Sequence, residues 1–218
     1  MVPKFNQIKK EYPLTPLPLL IEKPKFKLGE LKESIPKHCF ERSLIKSFGH
    51  LLHDIVLISI LAYLATFIGH PSLPKWSSYI LWPAYWWCQG VVCTGLWVIA
   101  HECGHGGFSD YKIVNDTVGL ISHSALLVPY FSWKFSHRNH HSNTGSTDND
   151  EVFAPFKKSS FTPMEMIEET PIYTLFKIVL MLTIGWIPGY LFLNSAGPTK
   201  YSGQPNSHFN PNSVLFKQ

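Results

Sequence analysis

The sequence predicts an all-α integral membrane protein in which a transmembrane helical hairpin carries histidine-rich helices on its cytosolic side. Charged residues make up only 16% of the 218 residues, whereas soluble chains contain about 25%. Residues 79–100 are 22 residues without a charge, and a helix needs about 20 apolar residues to cross a bilayer. Two groups of histidines at helical spacing follow this run, so the predicted membrane helix ends where the candidate chemistry begins.

The basic first quarter of the chain predicts a cytosolic amino terminus. Residues 1–27 are rich in proline and lysine and contain no apolar signal segment, so we expect a flexible tail. In residues 28–53, apolar side chains recur at helical spacing with basic residues between them, which predicts an amphipathic helix lying on the membrane surface. Ten of the nineteen Lys and Arg residues precede Asp54, and such a bias marks the cytosolic side of a membrane.

Residues 54–218 are predicted to form the main domain. The first two spans cover about residues 48–69 and 79–100, and a short turn joins them into a hairpin. A third span is expected at about residues 172–194, which are apolar except for Lys177. Because a hairpin returns the chain to the side where it started, the histidine groups that follow it are predicted to face the cytosol.

Five histidines form the candidate metal site. The first group stands at positions i and i+4 and the second at i, i+3 and i+4, so each group shares a face if its segment is helical. Two such faces turned toward each other make a nitrogen-rich pocket that suits iron, zinc, copper or nickel. The residues are His101 and His105 in the first group, and His137, His140 and His141 in the second.

A zinc protease is another interpretation of the first group. HECGH fits the H-E-x-x-H pattern, in which two histidines bind zinc and the glutamate, here Glu102, polarises water. A catalytic zinc site with three protein ligands has no use for the three further histidines of HRNHH. The second group therefore favours a two-metal site whose remaining ligands come from elsewhere.

The cysteines do not form the framework of a disulfide-rich domain. Cys39, Cys88, Cys93 and Cys103 include no CxxC pair, and two of them lie inside the long apolar run. This pattern predicts reduced thiols. No nucleic-acid partner is expected.

Three segments, HECGHGGFSDY, NDTVGLISHSALLVPYFSWKFSHRNHHSNTG and DNDEVFAP, resemble the membrane fatty acid desaturases, most of all the plant-type microsomal delta-12 (oleate) desaturases. The resemblance runs from about residue 28 to about residue 210. It implies that the five histidines bind two iron ions, with O2 as co-substrate. Glu102 and Asp150 are then candidates for hydrogen bonds to ligand imidazoles. Tyr130 and Trp133 are candidates for the wall of an acyl channel, with ordinary packing as the simpler role.

The activity that the resemblance implies is acyl-lipid desaturation. Such an enzyme introduces a cis double bond into an oleoyl chain held in phospholipid, forms a linoleoyl chain, and takes electrons from cytochrome b5. The expected location is the endoplasmic reticulum membrane, with several spans, as a single chain or as an oligomer with itself or other desaturases. A hydroxylase, acetylenase, conjugase or omega-3 desaturase on the same scaffold, and a non-enzymatic truncated paralogue, are the alternatives.

Two features depart from the family pattern. Gly106 stands where a histidine usually follows HECGH, which removes one candidate imidazole. The family's third group, H-x2-HH, has no counterpart here, because His208 is the only histidine after His141. We therefore expect the chain to be the amino-terminal portion of a desaturase, without its carboxy-terminal half and inactive on its own.

Overall fold

Helices are the only regular secondary structure in the part of the chain that the structure describes. The all-α class predicted from the sequence is confirmed over these residues. Contacts divide the chain into two compact units, Met1–Glu41 and Arg42–Gln218. The tail predicted for residues 1–27 lies almost entirely outside the described residues. The structure, a computed structural model, describes residues 26–146, 148–151, 170–194 and 197–216.

The stretch predicted as one amphipathic helix, residues 28–53, is divided in the structure. Helix α1 covers Leu28–Glu33, and a 3₁₀ turn covers Lys37–Phe40. Pro36 lies between them, and a proline disfavours helical geometry in the residue before it. The rest of the stretch belongs to a second helix, which begins at Leu44. The structure thus has a short helix, a 3₁₀ turn and the start of α2 where the sequence predicts one amphipathic helix.

Two long helices, α2 (Leu44–Ala65) and α3 (Ser78–His105), pack against each other as the predicted hairpin. They approach closely where Gly95 leaves room for Asp54, because a Cβ on Gly95 would lie 2.7 Å from Oδ2 of Asp54. Leu51 packs on a buried cluster that includes Cys103. The first turns of α2 therefore lie beside the last turns of α3.

Two described helices are long and apolar enough to cross a membrane, by length and composition only. They are Leu44–Ala65 and the continuous helix Pro171–Phe192, each with a mean hydropathy of 1.7 in its most apolar window. Helix α3 does not meet this criterion, because the Trp and Tyr residues of its first half lower its mean hydropathy. It has 28 residues, about 42 Å of helix, and so is longer than a bilayer crossing requires.

Two shorter helices, α4 (Lys112–Ala125) and α5 (Tyr130–Asn143), follow the hairpin. Gly106 ends α3 in the left-handed conformation with φ +74°, the geometry in which glycine commonly ends a helix. Helices α4 and α5 then approach closely, because Gly119 lies directly under the ring of Tyr130. The compact turn between them brings α5 back across the end of α3.

The last long helix, α6 (Pro171–Leu180), continues as a π-helical segment, Met181–Phe192. The end of this helix reaches the metal-site helices, since Tyr190 belongs to a buried cluster with Trp133. Residues 197–216 follow with two 3₁₀ turns and a small buried cluster of their own. The chain thus returns to α5 after the apolar helix.

Candidate metal centre

Four imidazole rings meet where the end of α3 faces α5. The Nε2 atom of His137 lies 2.8 Å from Nε2 of His101, 3.2 Å from Nε2 of His105 and 3.0 Å from Nε2 of His141. The four ligand atoms all lie within 4.8 Å of one another. The structure therefore brings together four of the five histidines of the predicted metal site, from two helices.

His140 lies at the edge of this cluster. Residues on an α-helix are about 100° apart, so His141 lies about 40° from His137, whereas His140 lies about 60° away on the other side. The ring centre of His140 is 5.9 Å from that of His137 and 5.5 Å from that of His141. Two histidines of the second group thus point into the cluster, and the third faces the neighbouring loop.

Two carboxylates contact the outward nitrogens of two histidines. Oε1 of Glu102 lies 2.9 Å from Nδ1 of His101, and Oδ1 of Asp150 lies 2.7 Å from Nδ1 of His140. Because an ionised carboxylate only accepts hydrogen bonds, each Nδ1 carries the proton and each Nε2 keeps its lone pair. Both acids therefore stand where a residue that orients a metal-binding imidazole would stand.

Burial keeps the centre of the cluster uncharged. Desolvation, together with repulsion from the neighbouring imidazoles, lowers the pKa of His137 to about 3, and burial also lowers the pKa of His105. The contacting Nε2 atoms are 2.8 to 3.3 Å apart, so each contact requires either a proton or a cation between the two nitrogens. Neighbouring ligands are about 3 Å apart when each metal–nitrogen bond is about 2.1 Å. The donor set therefore fits a first-row metal ion such as iron.

A buried indole, that of Trp133, and a half-buried indole, that of Trp97, pack against the imidazoles. The ring of Trp133 stacks on His137 with centres 4.5 Å apart, and the ring of Trp97 stacks on His101 with centres 5.6 Å apart. Gly104 admits the first indole, because a Cβ there would lie 2.9 Å from Cζ3 of Trp133. Trp97 was not among the predicted site residues, although its position four residues before His101 on one helix was a usable signal.

The two candidates for an acyl channel have different surroundings. Trp133 lines a cavity of about 280 Å³ that also borders His105 and His137. Tyr130 does not line this cavity; it is 1% exposed, and its hydroxyl oxygen lies 3.3 Å from Oδ1 of Asp116. Trp133 therefore lies beside the metal site, whereas Tyr130 packs between α4 and α5. A channel role for either residue stays a prediction.

Two further histidines are buried behind the cluster. His123 is 0% exposed, and its ring centre lies 4.7 Å from that of Trp133. His208 is 2% exposed, and its Nε2 lies 3.1 Å from Oγ of Ser136. Desolvation lowers the pKa of each to about 4. The position of His123 inside an apolar stretch was a signal for burial, whereas no local pattern connects His208 to a residue 72 positions earlier.

Comparison of the sequence with known proteins identifies one family. Residues 74–205, which contain all five histidines, match the family model for fatty acid desaturases. The chain belongs to the fatty acid desaturase family. It is 51% identical over 195 residues to the omega-6 fatty acid desaturase, endoplasmic reticulum, of Brassica juncea. It is 50% identical over 195 residues to the Delta(12)-fatty-acid desaturase of Arabidopsis thaliana. Family membership removes the zinc-protease interpretation of HECGH.

The match covers a larger share of this chain than of its relatives. It includes 89% of this chain and 50% of the Brassica and Arabidopsis proteins, so the chain spans about half the length of the curated relatives it matches. A Delta(12) acyl-lipid conjugase (11E,13E-forming) of Momordica charantia is 48% identical over 194 residues, which are 89% of this chain and 48% of that protein. No solved structure matches the chain.

Proposed function

We propose that this chain provides the first two histidine groups of an acyl-lipid desaturase that introduces a cis double bond at the delta-12 position of an oleoyl chain held in phospholipid. The observation that carries the proposal is the convergence of four histidine ligand atoms within 4.8 Å, in a chain that belongs to the fatty acid desaturase family. The delta-12 position is supported by the names of relatives about half identical in sequence.

The metal ion of the proposed site is iron. Bound iron would supply, with O2, the oxidation that removes two hydrogen atoms from an unactivated acyl chain. The chain's own residues prepare this site in three ways. First, the imidazoles, His140 among them, offer neutral nitrogen donors. Second, Glu102 and Asp150 keep the proton of their imidazole partners on Nδ1, away from the donor atom Nε2. Third, the indoles of Trp97 and Trp133 keep water from one side of the imidazole rings.

Two iron ions need more ligands than five imidazoles supply. We therefore propose that the third histidine group is provided by sequence that corresponds to the other half of the relatives, and that the 218 residues do not turn over substrate alone. The chain's contribution would be to bind the first metal ion and to orient the ligands for the second. The length covered by the match, about half of the relative, supports this division.

The proposed setting is the endoplasmic reticulum membrane, with α2 and α3 crossing it as a hairpin. None of the most apolar window of α2 is buried inside the protein. This exposed apolar surface supports insertion of α2 into the membrane. The Lys and Arg bias before Asp54 supports a cytosolic location for the histidines. Cytochrome b5 is proposed as the electron donor, and assembly with itself or with other desaturases is compatible with the exposed apolar helices.

A conjugase is the second candidate function. The relative from Momordica charantia that carries this name is nearly as similar to the chain as the delta-12 desaturases are. The two activities share a scaffold and differ in their products, so product analysis separates them.

A chimera tests the proposal. The 218 residues are joined to the unmatched half of the Arabidopsis relative and expressed in a yeast strain that makes no linoleate. We expect linoleoyl chains in the phospholipids. If the conjugase interpretation is right, we expect conjugated double bonds when the cells are supplied with linoleate, which carries the delta-12 double bond that such an enzyme converts. The matched control is the same chimera with His137→Ala, expressed to the same level, which removes the imidazole at the centre of the cluster. A well-expressed chimera that forms no new fatty acid would favour a non-enzymatic paralogue.

A further inference from the structure

We infer that the apolar helix Pro171–Phe192 does not cross the membrane but inserts into the leaflet on the side of the histidine cluster, with lipid acyl chains as its partner. The sequence predicts a span at about residues 172–194, and hydropathy alone allows one. The contacts made by the chain before and after this helix point to a different topology. The inference rests on the proposed membrane hairpin, but not on the chemistry of desaturation.

The chain before the helix is fixed at the metal site. Asp150 is 2% exposed and contacts Nδ1 of His140 through Oδ1, while its Oδ2 accepts a hydrogen bond of 3.1 Å from the amide of Gly145. The next residue, Glu151, is 1% exposed. Residues 150 and 151 therefore lie on the same side of the membrane as the histidines.

The chain after the helix returns to the same place. The hydroxyl of Tyr201 donates a hydrogen bond of 2.6 Å to Oε1 of Glu151. Nε2 of His208 lies 3.1 Å from Oγ of Ser136, next to the second histidine group. The amide of His208 donates to the carbonyl of Leu191 at 2.8 Å, which ties the segment to the end of the apolar helix. Residues on both sides of this helix thus contact the same site.

The contact between Glu151 and Tyr201 limits how often the chain crosses the membrane between them. Two hydrogen-bonded residues lie on one side, so the number of crossings is zero or two. Residues 152–169 contain five charged residues and two prolines in 18 positions, which excludes a span, and residues 193–200 are too few to cross. Because only the segment 171–192 has the composition of a span, the number of crossings is zero.

The position of the helix end also fits one leaflet. The ring of Trp186 lies 6.0 Å from that of Trp97, and Trp97 is four residues, about 6 Å, before His101 on α3. The ring of Tyr190, one turn further, lies 5.2 Å from that of Trp186. The helix therefore meets the hairpin near its histidine-bearing end.

The surface of the helix requires an apolar environment. Ile172 is 82% exposed and Leu182 is 79% exposed, and only 11% of the most apolar window is buried. Lys177 is the one charged residue of the helix, and its Nζ lies 4.9 Å from the centre of the Tyr173 ring. A lysine and aromatic rings on an otherwise apolar helix are typical of a membrane interface. Acyl chains of one leaflet are the partner that fits this surface.

Cysteine labelling in sealed microsomes tests the inference on the 218-residue chain. Three serines exposed in the structure are changed singly in a Cys39→Ser background, which removes an exposed native thiol. Ser202→Cys reports on the chain after the helix, Ser142→Cys on the histidine side, and Ser72→Cys on the turn between α2 and α3. A membrane-impermeant maleimide is added before and after permeabilisation with detergent.

We expect the Ser202→Cys and Ser142→Cys variants to be labelled in sealed vesicles at rates within about twofold of each other, and the Ser72→Cys variant only after permeabilisation. Protection of the Ser202→Cys variant together with the Ser72→Cys variant would overturn the inference. Labelling of all three in sealed vesicles would show that the hairpin does not cross, and the inference would fall with it. Protection of the Ser202→Cys and Ser142→Cys variants alone would support the shared side while contradicting the proposed cytosolic location of the histidines.

Discussion

The carboxylate of Asp150 lies 2.7 Å from Nδ1 of His140 and is almost completely buried. The bond crosses from the loop after α5 back to the helix, and it fixes the proton of His140 on the nitrogen that faces away from the cluster. Glu102 makes the equivalent contact with His101 at 2.9 Å, but its side chain is 52% exposed. The buried acid is therefore the stronger constraint on ligand orientation.

The first prediction concerns this buried acid. In Asp150→Asn the amide is uncharged and its NH2 group can face Nδ1, so the imidazole loses its fixed tautomer. We expect the affinity of the purified chain for ferrous iron to fall by about 10- to 100-fold, measured by anaerobic titration in detergent. Asp148→Asn, two residues away on an exposed position, is the control and should bind like the wild type. Equal affinities of the two variants would show that Asp150 does not orient a ligand.

Local periodicity explains what could be predicted about the site. His101 with His105, and His137 with His141, lie on common faces because the helical repeat depends only on neighbouring residues. That the two faces meet was a prediction about tertiary structure. In the structure His101 and His137 lie 2.8 Å apart, Nε2 to Nε2. The offset of His140 follows from the same repeat, since i+3 and i+4 lie on opposite sides of residue i.

Long-range contacts explain what could not be predicted. No pattern in the sequence relates Tyr201 to Glu151, 50 positions earlier, or His208 to Ser136. The apolar composition of residues 171–192 is the same for a span as for a helix within one leaflet, so composition alone predicted a third span. The difference lies in contacts made by the flanking segments, and those appear only in the folded chain.

The second prediction concerns the close approach of α4 and α5. A Cβ on Gly119 would overlap the ring of Tyr130, which is buried and cannot move aside freely. We expect Gly119→Ala to destabilise the chain by about 1–3 kcal/mol through overpacking, seen as a lower midpoint of thermal unfolding in detergent. Gly90→Ala is the matched control in α3, where a Cβ meets nothing within 4 Å, and we expect it to be neutral or stabilising by up to about 1 kcal/mol. The same midpoint for both variants would contradict the close packing.

The third prediction concerns the glycine at the end of α3. Gly106 has φ +74°, and the left-handed conformation costs other residues about 1 kcal/mol. Gly106→Ala should therefore lower the unfolding midpoint, whereas Gly49→Ala in α2, also with open space around its Cβ position, should not. The same backbone geometry gives a physical reason for glycine at position 106. Gly106→His should cost a similar amount of stability, and an unchanged midpoint would argue that the helix end is not left-handed.

The fourth prediction concerns pH. Burial lowers the pKa of His123 to about 4, whereas the unfolded chain takes up the proton near pH 6.5. Between these values the unfolded state binds one more proton than the folded state, so stability decreases as the pH falls through this window. For His123 alone the loss is about 2 kcal/mol at pH 5. Wild-type chain should therefore unfold at a lower temperature at pH 5 than at pH 7.5.

Substitution separates the contribution of His123 from that of the other buried histidines. His123→Phe fills the space between the indoles with a ring that takes up no proton, so the midpoint should fall less between pH 7.5 and pH 5 than it does in the wild type. His208 also has a pKa lowered to about 4 by burial, so part of the dependence should remain. His50→Phe, on an exposed position of α2, is the control and should retain the full wild-type dependence. If His123→Phe and His50→Phe respond to acid equally, His123 is not the buried, neutral group that the structure describes.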